Sequence, residues 1–384
     1  MPKISNPFFF ELPSDDRSFT DREALIPVLH SCMKQKGRRV LVHGFRRMGK
    51  TSLLKNAGRL SGEVFVFADI STSTNLNEVA QKLLAAAPDE ETSLLPKLVE
   101  LAKKFLSSFT ISAGGVSLSG ELRAEDWPKN LEQVLSYLNA RAGAEDRPWT
   151  ICLDEFQDIR LLGGDRAEWQ LRGFIQEHRN LNYIFSGSDN RLVKWMNEPG
   201  AAFYRQLQTI EVGPIEEGHM ARWIEKRAKS GGLATFPHGK TIIQLAGPRT
   251  GDIVRLAMVC FDLAVAGKVA AADLAQTGFD YIALDQMASE FVLRWQELTM
   301  SQRMVLRALA DGHQPTAAAT LRKFGVKSAS SAHTAVEAML QRQILVREKP
   351  ASIVFDNPFF KRWVAANGVQ FLPETAKTNS KVLV

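Results

Sequence analysis

The sequence predicts an α/β protein in which a doubly wound parallel sheet is followed by a helical subdomain and a winged helix-turn-helix domain. Short apolar, β-branched runs alternate with helical stretches over residues 1–213, as is typical of a parallel sheet covered by helices. Over residues 214–290 the strand signals stop and only helical patterns remain. Residues 291–366 combine three helical stretches with two short strands, and we expect residues 367–384, which are polar, to form a flexible tail.

Length and composition are those of an ordinary globular protein. The chain has 384 residues, 45% of them hydrophobic and 23% charged, and this length is sufficient for two or three domains. No apolar run reaches the ~18 residues needed to span a bilayer, and the N-terminus lacks a signal-peptide pattern. We therefore expect a cytoplasmic protein without a membrane partner. The net charge of +6 permits a polyanionic partner without demonstrating one.

The three cysteines indicate a reducing compartment. Cys32, Cys152 and Cys260 lie far apart in the sequence, without the C-x-x-C or histidine spacing of a metal site. We expect them to be buried core residues rather than disulfide partners or zinc ligands.

Residues 1–36 lead into the first strand. They contain Asn6-Pro7-Phe8 and Phe19-x-Asp21-Arg22-Glu23, followed by a helical stretch to about Lys36. The run Arg39–His43 is β-branched and apolar, and we expect it to form a buried strand.

The motif after this strand indicates nucleotide chemistry. Gly44-Phe45-Arg46-Arg47-Met48-Gly49-Lys50-Thr51 matches G-x-x-x-x-G-K-[ST], the phosphate-binding P-loop, and a helix is expected from Ser52 onward. The glycines let backbone N–H groups surround the β- and γ-phosphates, and the helix N-terminus adds its positive end. A glycine-rich turn before a helix is the structural alternative, but the flanking strand and helix favour the P-loop. We predict ATP and Mg²⁺ as the ligands of this site, with the nucleotide bound by Gly44, Arg46, Arg47, Met48, Gly49, Lys50, Thr51 and Ser52.

Two residues of the motif have distinct predicted roles. The Lys50 ammonium would contact the phosphates, and the Thr51 hydroxyl would bind Mg²⁺.

The lead-in of residues 1–36 has two possible structures. It would be free to pack over the nucleotide base, or it forms a plain N-terminal helix, and the residues alone favour neither.

A second motif strengthens this interpretation. Pro148–Glu155 is an apolar strand that ends in the adjacent carboxylates of Asp154 and Glu155. In P-loop proteins a strand beside the P-loop strand carries such an aspartate at its carboxyl end, where it holds the Mg²⁺. A second carboxylate beside it can polarise water for attack on the γ-phosphate. We therefore predict Asp154 as the metal-side residue and Glu155 as the base.

The remaining elements of the first domain follow from the same patterns. The strand Tyr183–Ser188 ends in polar residues, which we expect beside the γ-phosphate, between the P-loop strand and the acidic strand. We predict a strand over Val64–Asp69, a helix from Leu76 to about Leu106 with a break near Pro88, a hairpin over Thr110–Leu122 within an insertion at 106–124, and helices over Trp127–Arg141 and from the Gly163-Gly164 loop to Arg179.

The helical subdomain and the winged helix domain have simpler patterns. In the helical subdomain we predict helices over Glu216–Ser230, Lys240–Leu245, Asp252–Ala266 and Ala271–Gln286. In the winged helix domain we predict helices over Ser301–Ala310, Ala317–Phe324 and Ser328–Gln341, and strands over Ile344–Arg347 and Ser352–Phe355.

The third of these last helices has polar residues on the side that does not face the core. In winged helix proteins such a face lies against duplex DNA, although the same fold also serves in protein docking or in a purely structural role. The predicted DNA contacts are Lys327, Ser330, His333, Arg347 and Lys349.

Together these motifs resemble the AAA+ superfamily, and within it the archaeal-type ATPases close to the origin-recognition and STAND groups. The resemblance covers roughly residues 4–366. It is carried by Asn6-Pro7-Phe8, Phe19-x-Asp21-Arg22-Glu23, the double arginine of the P-loop, Leu153-Asp154-Glu155-Phe156-Gln157, Phe185-Ser186-Gly187-Ser188, and Phe355-Asp356-Asn357-Pro358-Phe359-Phe360-Lys361-Arg362-Trp363.

The resemblance implies three further site residues. Ser188 matches the polar residue that orients water beside the γ-phosphate, with Ser186 as the alternative because many relatives carry Asn or Thr there. Arg205 matches the arginine that enters the site of a neighbouring subunit, although an intrachain ion pair is an equal alternative. Arg255 matches the lid arginine that contacts the γ-phosphate, and Arg249 competes with it.

The resemblance favours an ATPase switch that couples nucleotide state to duplex DNA binding, with slow hydrolysis unless a second subunit or a protein partner completes the site. The alternative is a STAND-like module in which nucleotide gates protein–protein contacts without DNA. A small-molecule kinase is disfavoured because Glu155 would have less use in a reaction whose nucleophile is an acceptor hydroxyl, and because the sequence shows no obvious acceptor pocket.

Overall fold

The structure is a computed structural model of the chain. It describes residues 4–10, 19–88, 100, 104–105, 109–112, 115–118, 126–188, 190–349 and 352–368. Predicted features that fall on the remaining residues, among them residues 89–99, 101–103 and 106 of the helix expected up to Leu106 and residues 369–384 of the C-terminal tail, lie outside this description.

The described residues form two compact units. The P-loop unit consists of Phe9–Ile215 together with Arg249–Gly251, and the C-terminal unit consists of the residues up to Phe8, Glu216–Pro248 and the residues from Asp252 onward.

The P-loop unit alternates strands and helices. Its elements are α1 Leu25–Lys34, β1 Arg39–His43, α2 Lys50–Ser61, β2 Val64–Asp69, α3 Leu76–Ala85, β3 Phe109–Ser112, β4 Gly115–Leu118, α4 Trp127–Ala144, β5 Trp149–Asp154, a 3₁₀ turn Phe156–Asp158, α5 Ile159–Gly163, α6 Ala167–Ile175, β6 Leu181–Gly187, α7 Asn190–Asn197 and β7 Gln208–Glu211.

Five of these strands form one parallel sheet in the order β2-β5-β6-β1-β7. The predicted doubly wound sheet is therefore confirmed, and β6 lies between the P-loop strand β1 and the acidic strand β5, as expected. Strand β5 is consequently two strands away from β1 rather than its direct neighbour. Because all five strands run the same way, their carboxyl ends meet at one edge, where ligands of such sheets bind.

The apolar core lies on both faces of this sheet. Successive side chains of a strand point to opposite faces, and Leu41 of β1 belongs to one buried cluster, whereas Val40 and Val42 belong to the other. Helices α3, α4 and α6 cover the first face, and α1 and α2 cover the second. Every residue of β5 and β6 is buried, which is typical of central strands in a parallel sheet.

Three smaller predictions can be compared with this unit. The expected hairpin is present, since β3 and β4 pair antiparallel. The helix that begins at Leu76 ends at Ala85, and the Asn75 side chain caps its start by accepting the Glu78 N–H. Cys32 and Cys152 of this unit are buried, as expected, and so is Cys260 of the C-terminal unit.

The C-terminal unit consists of helices and one hairpin. Its elements are α8 Glu217–Ser230, α9 Gly239–Ala246, α10 Thr250–Ala266 (whose first two residues belong to the P-loop unit), a 3₁₀ turn Ala271–Asp273, α11 Leu274–Tyr281, a π-helical turn Ile282–Gln286, α12 Ala288–Gln296, α13 Met300–Ala310, α14 Ala318–Phe324, α15 Ala329–Gln341, β8 Leu345–Lys349, β9 Ser352–Phe355 and α16 Pro358–Asn367.

The last part of this unit is the predicted winged helix, with β8 and β9 paired antiparallel as the wing. Its core is aromatic: the buried rings of Phe291, Trp295, Phe360 and Trp363 contact one another. Asn357 caps α16 by accepting the N–H groups of the two phenylalanines that follow Pro358, which accounts for the Asn-Pro-Phe-Phe motif there.

The first Asn-Pro-Phe motif is also structural. The Asn6 side-chain amide donates to the Met258 carbonyl at 2.9 Å, and Phe8 packs edge-on against Trp223 and Phe261. This part of the lead-in is therefore anchored on α8 and α10. None of the helices that the structure describes is long and apolar enough to cross a membrane.

Candidate nucleotide site

The P-loop lies at the carboxyl edge of the sheet, between β1 and α2. At Gly44, φ is +156° and a Cβ atom would lie only 2.3 Å from the Val212 carbonyl oxygen, so no other residue fits there. Gly49 adopts a left-handed conformation immediately before the first turn of α2, which contains Lys50, Thr51 and Ser52. The predicted strand–loop–helix context is thus observed, and the N-terminus of α2 faces the loop.

The Lys50 ammonium is held inside this loop. Its Nζ donates to the carbonyl oxygens of Gly44 at 2.9 Å and of Phe45 at 3.0 Å, and only 5% of the residue is exposed. Burial lowers the pKa of Lys50 to about 8, although Glu155 and Asp154 nearby act to raise it. A buried cation whose hydrogen bonds go to neutral carbonyls is well suited to bind an anion.

Thr51 and Asp154 meet across the edge of the sheet. The Thr51 hydroxyl donates to Asp154 Oδ2 at 2.6 Å, although the two residues are 103 positions apart. Asp154 is buried, and its Oδ1 has no hydrogen-bond partner among the described residues. An unpaired buried carboxylate oxygen is costly, whereas a hydroxyl and a carboxylate are ligands that Mg²⁺ accepts. These two side chains therefore fit a magnesium ion.

Glu155 lies one residue beyond the strand. Its backbone is left-handed, with φ of 51° and ψ of 44°, so the chain turns sharply where the buried strand ends. The Ser188 hydroxyl donates to Glu155 Oε2 at 2.9 Å, and the Arg46 guanidinium lies 3.4 Å from the same hydroxyl. Of the two serines considered from the sequence, Ser188 contacts the acidic pair, whereas Ser186 is fully buried within the strand.

The backbone carbonyls of Arg47 and Met48 in the P-loop both accept hydrogen bonds. The Arg47 backbone is left-handed, and its carbonyl accepts the Gly251 N–H at 2.8 Å. Met48 is buried, and its carbonyl accepts a hydrogen bond from Arg22 Nη2 at 3.0 Å.

Arg22 is a site residue that the sequence did not identify. Its buried guanidinium joins the P-loop carbonyl of Met48 to the carbonyl of Gly213, each at 3.0 Å. The Phe19-x-Asp21-Arg22-Glu23 motif was visible in the sequence, but nothing in it shows which carbonyls the arginine reaches.

The two candidate lid arginines differ in position. Arg249 belongs to the P-loop unit and is buried, with its guanidinium 5.7 Å from the centroid of the Phe45 ring. Arg255 belongs to the C-terminal unit, where it contacts the Met287 sulfur. Of the two, Arg249 is therefore the one that lies against the phosphate-binding loop within the P-loop unit.

Arg205 is exposed on the P-loop unit. Its backbone is left-handed, and its guanidinium lies 5.1 Å from the centroid of the Tyr204 ring. It forms no ion pair within the described part of the chain, so the side chain is accessible to a second molecule.

On the winged helix, Lys327, Ser330 and His333 are exposed, as predicted. Arg347 forms an ion pair with Glu337 of α15, and His333 Nε2 lies 3.9 Å from the same carboxylate. The positive charge of this face is therefore partly neutralised.

The winged helix domain also contains the basic residues Arg322, Lys323 and Lys349. The Lys349 side chain lies outside the described residues. Arg322 and Lys323 on α14 are exposed cations that were not assigned from the sequence.

Comparison with known proteins agrees with this architecture. The family described as a probable winged helix domain matches residues 289–366. A Walker-type ATPase of Pyrococcus abyssi superposes with a TM-score of 0.64 over 92% of this chain and 99% of its own, at 16% sequence identity. The ORC1 protein of Aeropyrum pernix, solved in complex with DNA, superposes with a TM-score of 0.50 over 94% of each chain, at 13% identity. Among curated protein sequences, none matches this chain.

Identities this low establish similarity of fold and no more. The similarity covers nearly the whole chain. The chain thus has the fold of this archaeal Walker-type ATPase, with a winged helix domain at its C-terminal end.

Proposed function

We propose that this protein is an ATP-binding and ATP-hydrolysing switch. The observation that supports this most strongly is the convergence of Lys50, the Thr51–Asp154 pair and Glu155 at one edge of the sheet. Lys50 would exchange its two carbonyl partners for phosphate oxygens. Thr51 and Asp154 would hold Mg²⁺, which neutralises charge on the β- and γ-phosphates when bound.

Glu155 would take a proton from the attacking water. The Ser188 hydroxyl donates to one of its two carboxylate oxygens, and this hydrogen bond would hold the carboxylate in place for the proton transfer. Phosphate release from ATP with Mg²⁺, and its loss when EDTA removes the metal, tests this proposal. Release at an equal rate in EDTA would contradict it.

We further propose that a second copy of the chain completes the site through Arg205. This side chain is exposed and forms no ion pair within the described residues, so a second molecule can reach it. The Arg205→Ala protein should then be inactive alone, because the γ-phosphate of the neighbouring subunit loses a counter-charge. Mixing it with Glu155→Gln protein should restore part of the activity, since some interfaces would contain both intact groups. Phosphate release by the mixture is the readout.

The control is a mixture of Arg205→Ala protein with protein that carries both substitutions, which has no interface with both groups intact and should remain inactive. If the first mixture co-assembles by light scattering and still shows no recovery, Arg205 acts within its own chain.

We propose duplex DNA as the partner of the winged helix domain. Lys327, which is exposed just before α15, and the exposed residues Ser330 and His333 on α15 support this, and the ORC1 protein with a similar fold was solved with DNA. Lys327→Glu should weaken DNA binding and flatten the dependence of log Kd on log salt by about one unit. Lys240→Glu makes the same charge change outside the winged helix, and it should leave both quantities unchanged. Fluorescence anisotropy over a salt series measures them.

One observation favours a protein partner instead. Glu337 forms an ion pair with Arg347 and lies beside His333, so this face carries less positive charge than its sequence indicates. If the wild-type protein shows no salt-sensitive DNA binding with ATP, with ADP or without nucleotide, the STAND-like function, in which nucleotide gates protein contacts, replaces the DNA-binding one.

A further inference from the structure

Gln157 lies beside the proposed base and takes no part in the proposed binding of phosphate or Mg²⁺. After β5 ends at Asp154, the left-handed residue Glu155 and the 3₁₀ turn Phe156–Asp158 reverse the chain direction. The Phe156 ring is fully buried against the Phe185 ring, with centroids 4.6 Å apart, and this contact fixes the turn in place. The turn brings the Gln157 side chain back toward the end of the strand.

The Gln157 amide contacts the Glu155 carboxylate directly. Its Nε2 donates to Glu155 Oε2, the same oxygen that accepts the Ser188 hydroxyl. Oε2 thus receives two hydrogen bonds, whereas Oε1 receives none from the part of the chain that the structure describes. The arrangement distinguishes the two oxygens: one is held by the protein, and the other has its lone pairs available.

The residues around the Gln157 amide determine where it lies. Gln157 is only 8% exposed, and its Oε1 is buried without a hydrogen-bond partner among the described residues. A Cβ atom at position 187 would lie 2.4 Å from this oxygen and 2.3 Å from Leu192 Cδ2, so Gly187 leaves the space that both side chains occupy. Burial of an unpaired amide oxygen opposes folding, and such a placement is expected where a residue serves a site rather than stability.

We infer that Gln157 is a positioning residue that orients Glu155 for proton abstraction. Gln157 and Ser188 both donate to Glu155 Oε2, and this leaves Glu155 Oε1 free to accept the proton of the attacking water. This inference rests on the proposed role of Glu155 as the base, and it adds that the last residue of the Asp-Glu-Phe-Gln motif acts through that carboxylate.

The test compares ATP turnover and ATP affinity in four variants. Gln157→Met keeps the length of the side chain and removes the donor, and kcat should fall by about 10- to 100-fold while KM for ATP changes less than about twofold. The double variant Glu155→Gln/Gln157→Met should be no slower than Glu155→Gln alone, because Gln157 acts only through Glu155. Gln176→Met, an exposed position, is the matched control and should behave as wild type.

A second substitution covers the case in which Gln157→Met does not fold. Gln157→Glu has nearly the same shape but places a second carboxylate beside Glu155, which disfavours the ionised base. The acidic limb of its kcat–pH profile should therefore move to higher pH, a change that loss of packing alone would not produce.

The outcomes separate this inference from the proposal on which it rests. Wild-type kcat in Gln157→Met beside an inactive Glu155→Gln would overturn the inference alone. A double variant whose defect is the product of the two single defects, or an unmoved pH profile in Gln157→Glu, would do the same. Full turnover in Glu155→Gln would overturn the catalytic role of Glu155 and this inference together.

Discussion

Replacement of Lys50 by alanine should weaken ATP binding by about 100-fold or more, because charged hydrogen bonds to a buried anion each contribute about 1.5–3 kcal/mol. In the structure the ammonium is almost fully buried and lies on the carbonyl oxygens of Gly44 and Phe45, at the centre of the loop. Without it, the triphosphate would lose its principal counter-charge. Isothermal titration calorimetry with a non-hydrolysable ATP analogue measures the effect.

Lys55→Ala provides the matched control. Lys55 is on the same helix but exposed, with its ammonium 4.7 Å from the centroid of the Phe67 ring. Its replacement changes the net charge equally and should leave affinity within about twofold, as for a screened surface charge. Wild-type affinity in Lys50→Ala, with affinity lost in Lys55→Ala, would contradict the assignment of the P-loop as the binding site.

The same lysine predicts a dependence on pH. Phosphate binding requires the ammonium form, and burial lowers the pKa of Lys50 to about 8 in the free protein. Below this pH the lysine is already charged, so its contribution is fully present; above it, binding must first take up a proton. ATP affinity should therefore fall between pH 8 and 9.5, by up to about tenfold per pH unit. Lys50→Ala should lack this dependence.

Replacement of Glu155 by glutamine should separate binding from chemistry. The amide keeps the shape of the carboxylate, and its oxygen can still accept the Ser188 hydroxyl, but it cannot take a proton from water. ATP should bind with nearly unchanged affinity while turnover falls by roughly 10²–10⁴-fold. Single-turnover phosphate release, measured beside ATP binding, provides both quantities.

Glu177→Gln, at an exposed position of the same unit, is the control for loss of charge and should retain wild-type turnover. Equal losses of binding and turnover in Glu155→Gln would make Glu155 a structural or metal-side residue. Unchanged turnover would exclude it as the base.

The sequence predicted the parts of the site that depend on short-range pattern. Each of three features comes at the end of a recognisable strand: the P-loop, the Asp154-Glu155 pair and Ser188. The carboxyl ends of parallel strands meet at one edge of the sheet. Their convergence therefore required only the correct strand assignment.

The parts that could not be predicted depend on contacts between distant residues. Arg22 reaches Gly213, which lies 191 positions away, and no local pattern encodes that distance. Arg249 and Arg255 lie six positions apart, at the point where the chain passes from one unit to the other, so spacing alone could not assign either to the P-loop. The pairing of Glu337 with Arg347 joins a helix to a strand, and it changes the charge of a face that the sequence presented as basic.

The central claim is that a triphosphate binds at the carboxyl edge of the sheet with its metal between Thr51 and Asp154. A crystal structure of Glu155→Gln protein grown with ATP and Mg²⁺ tests it most directly. We expect the triphosphate inside the Gly44–Thr51 loop, with Lys50 Nζ moved from the Gly44 and Phe45 carbonyls onto phosphate oxygens. Mg²⁺ should separate the Thr51 hydroxyl from Asp154, which now lie 2.6 Å apart. ATP bound elsewhere, or a loop in which Lys50 and the Thr51–Asp154 hydrogen bond stay unchanged at saturating ATP, would contradict the claim.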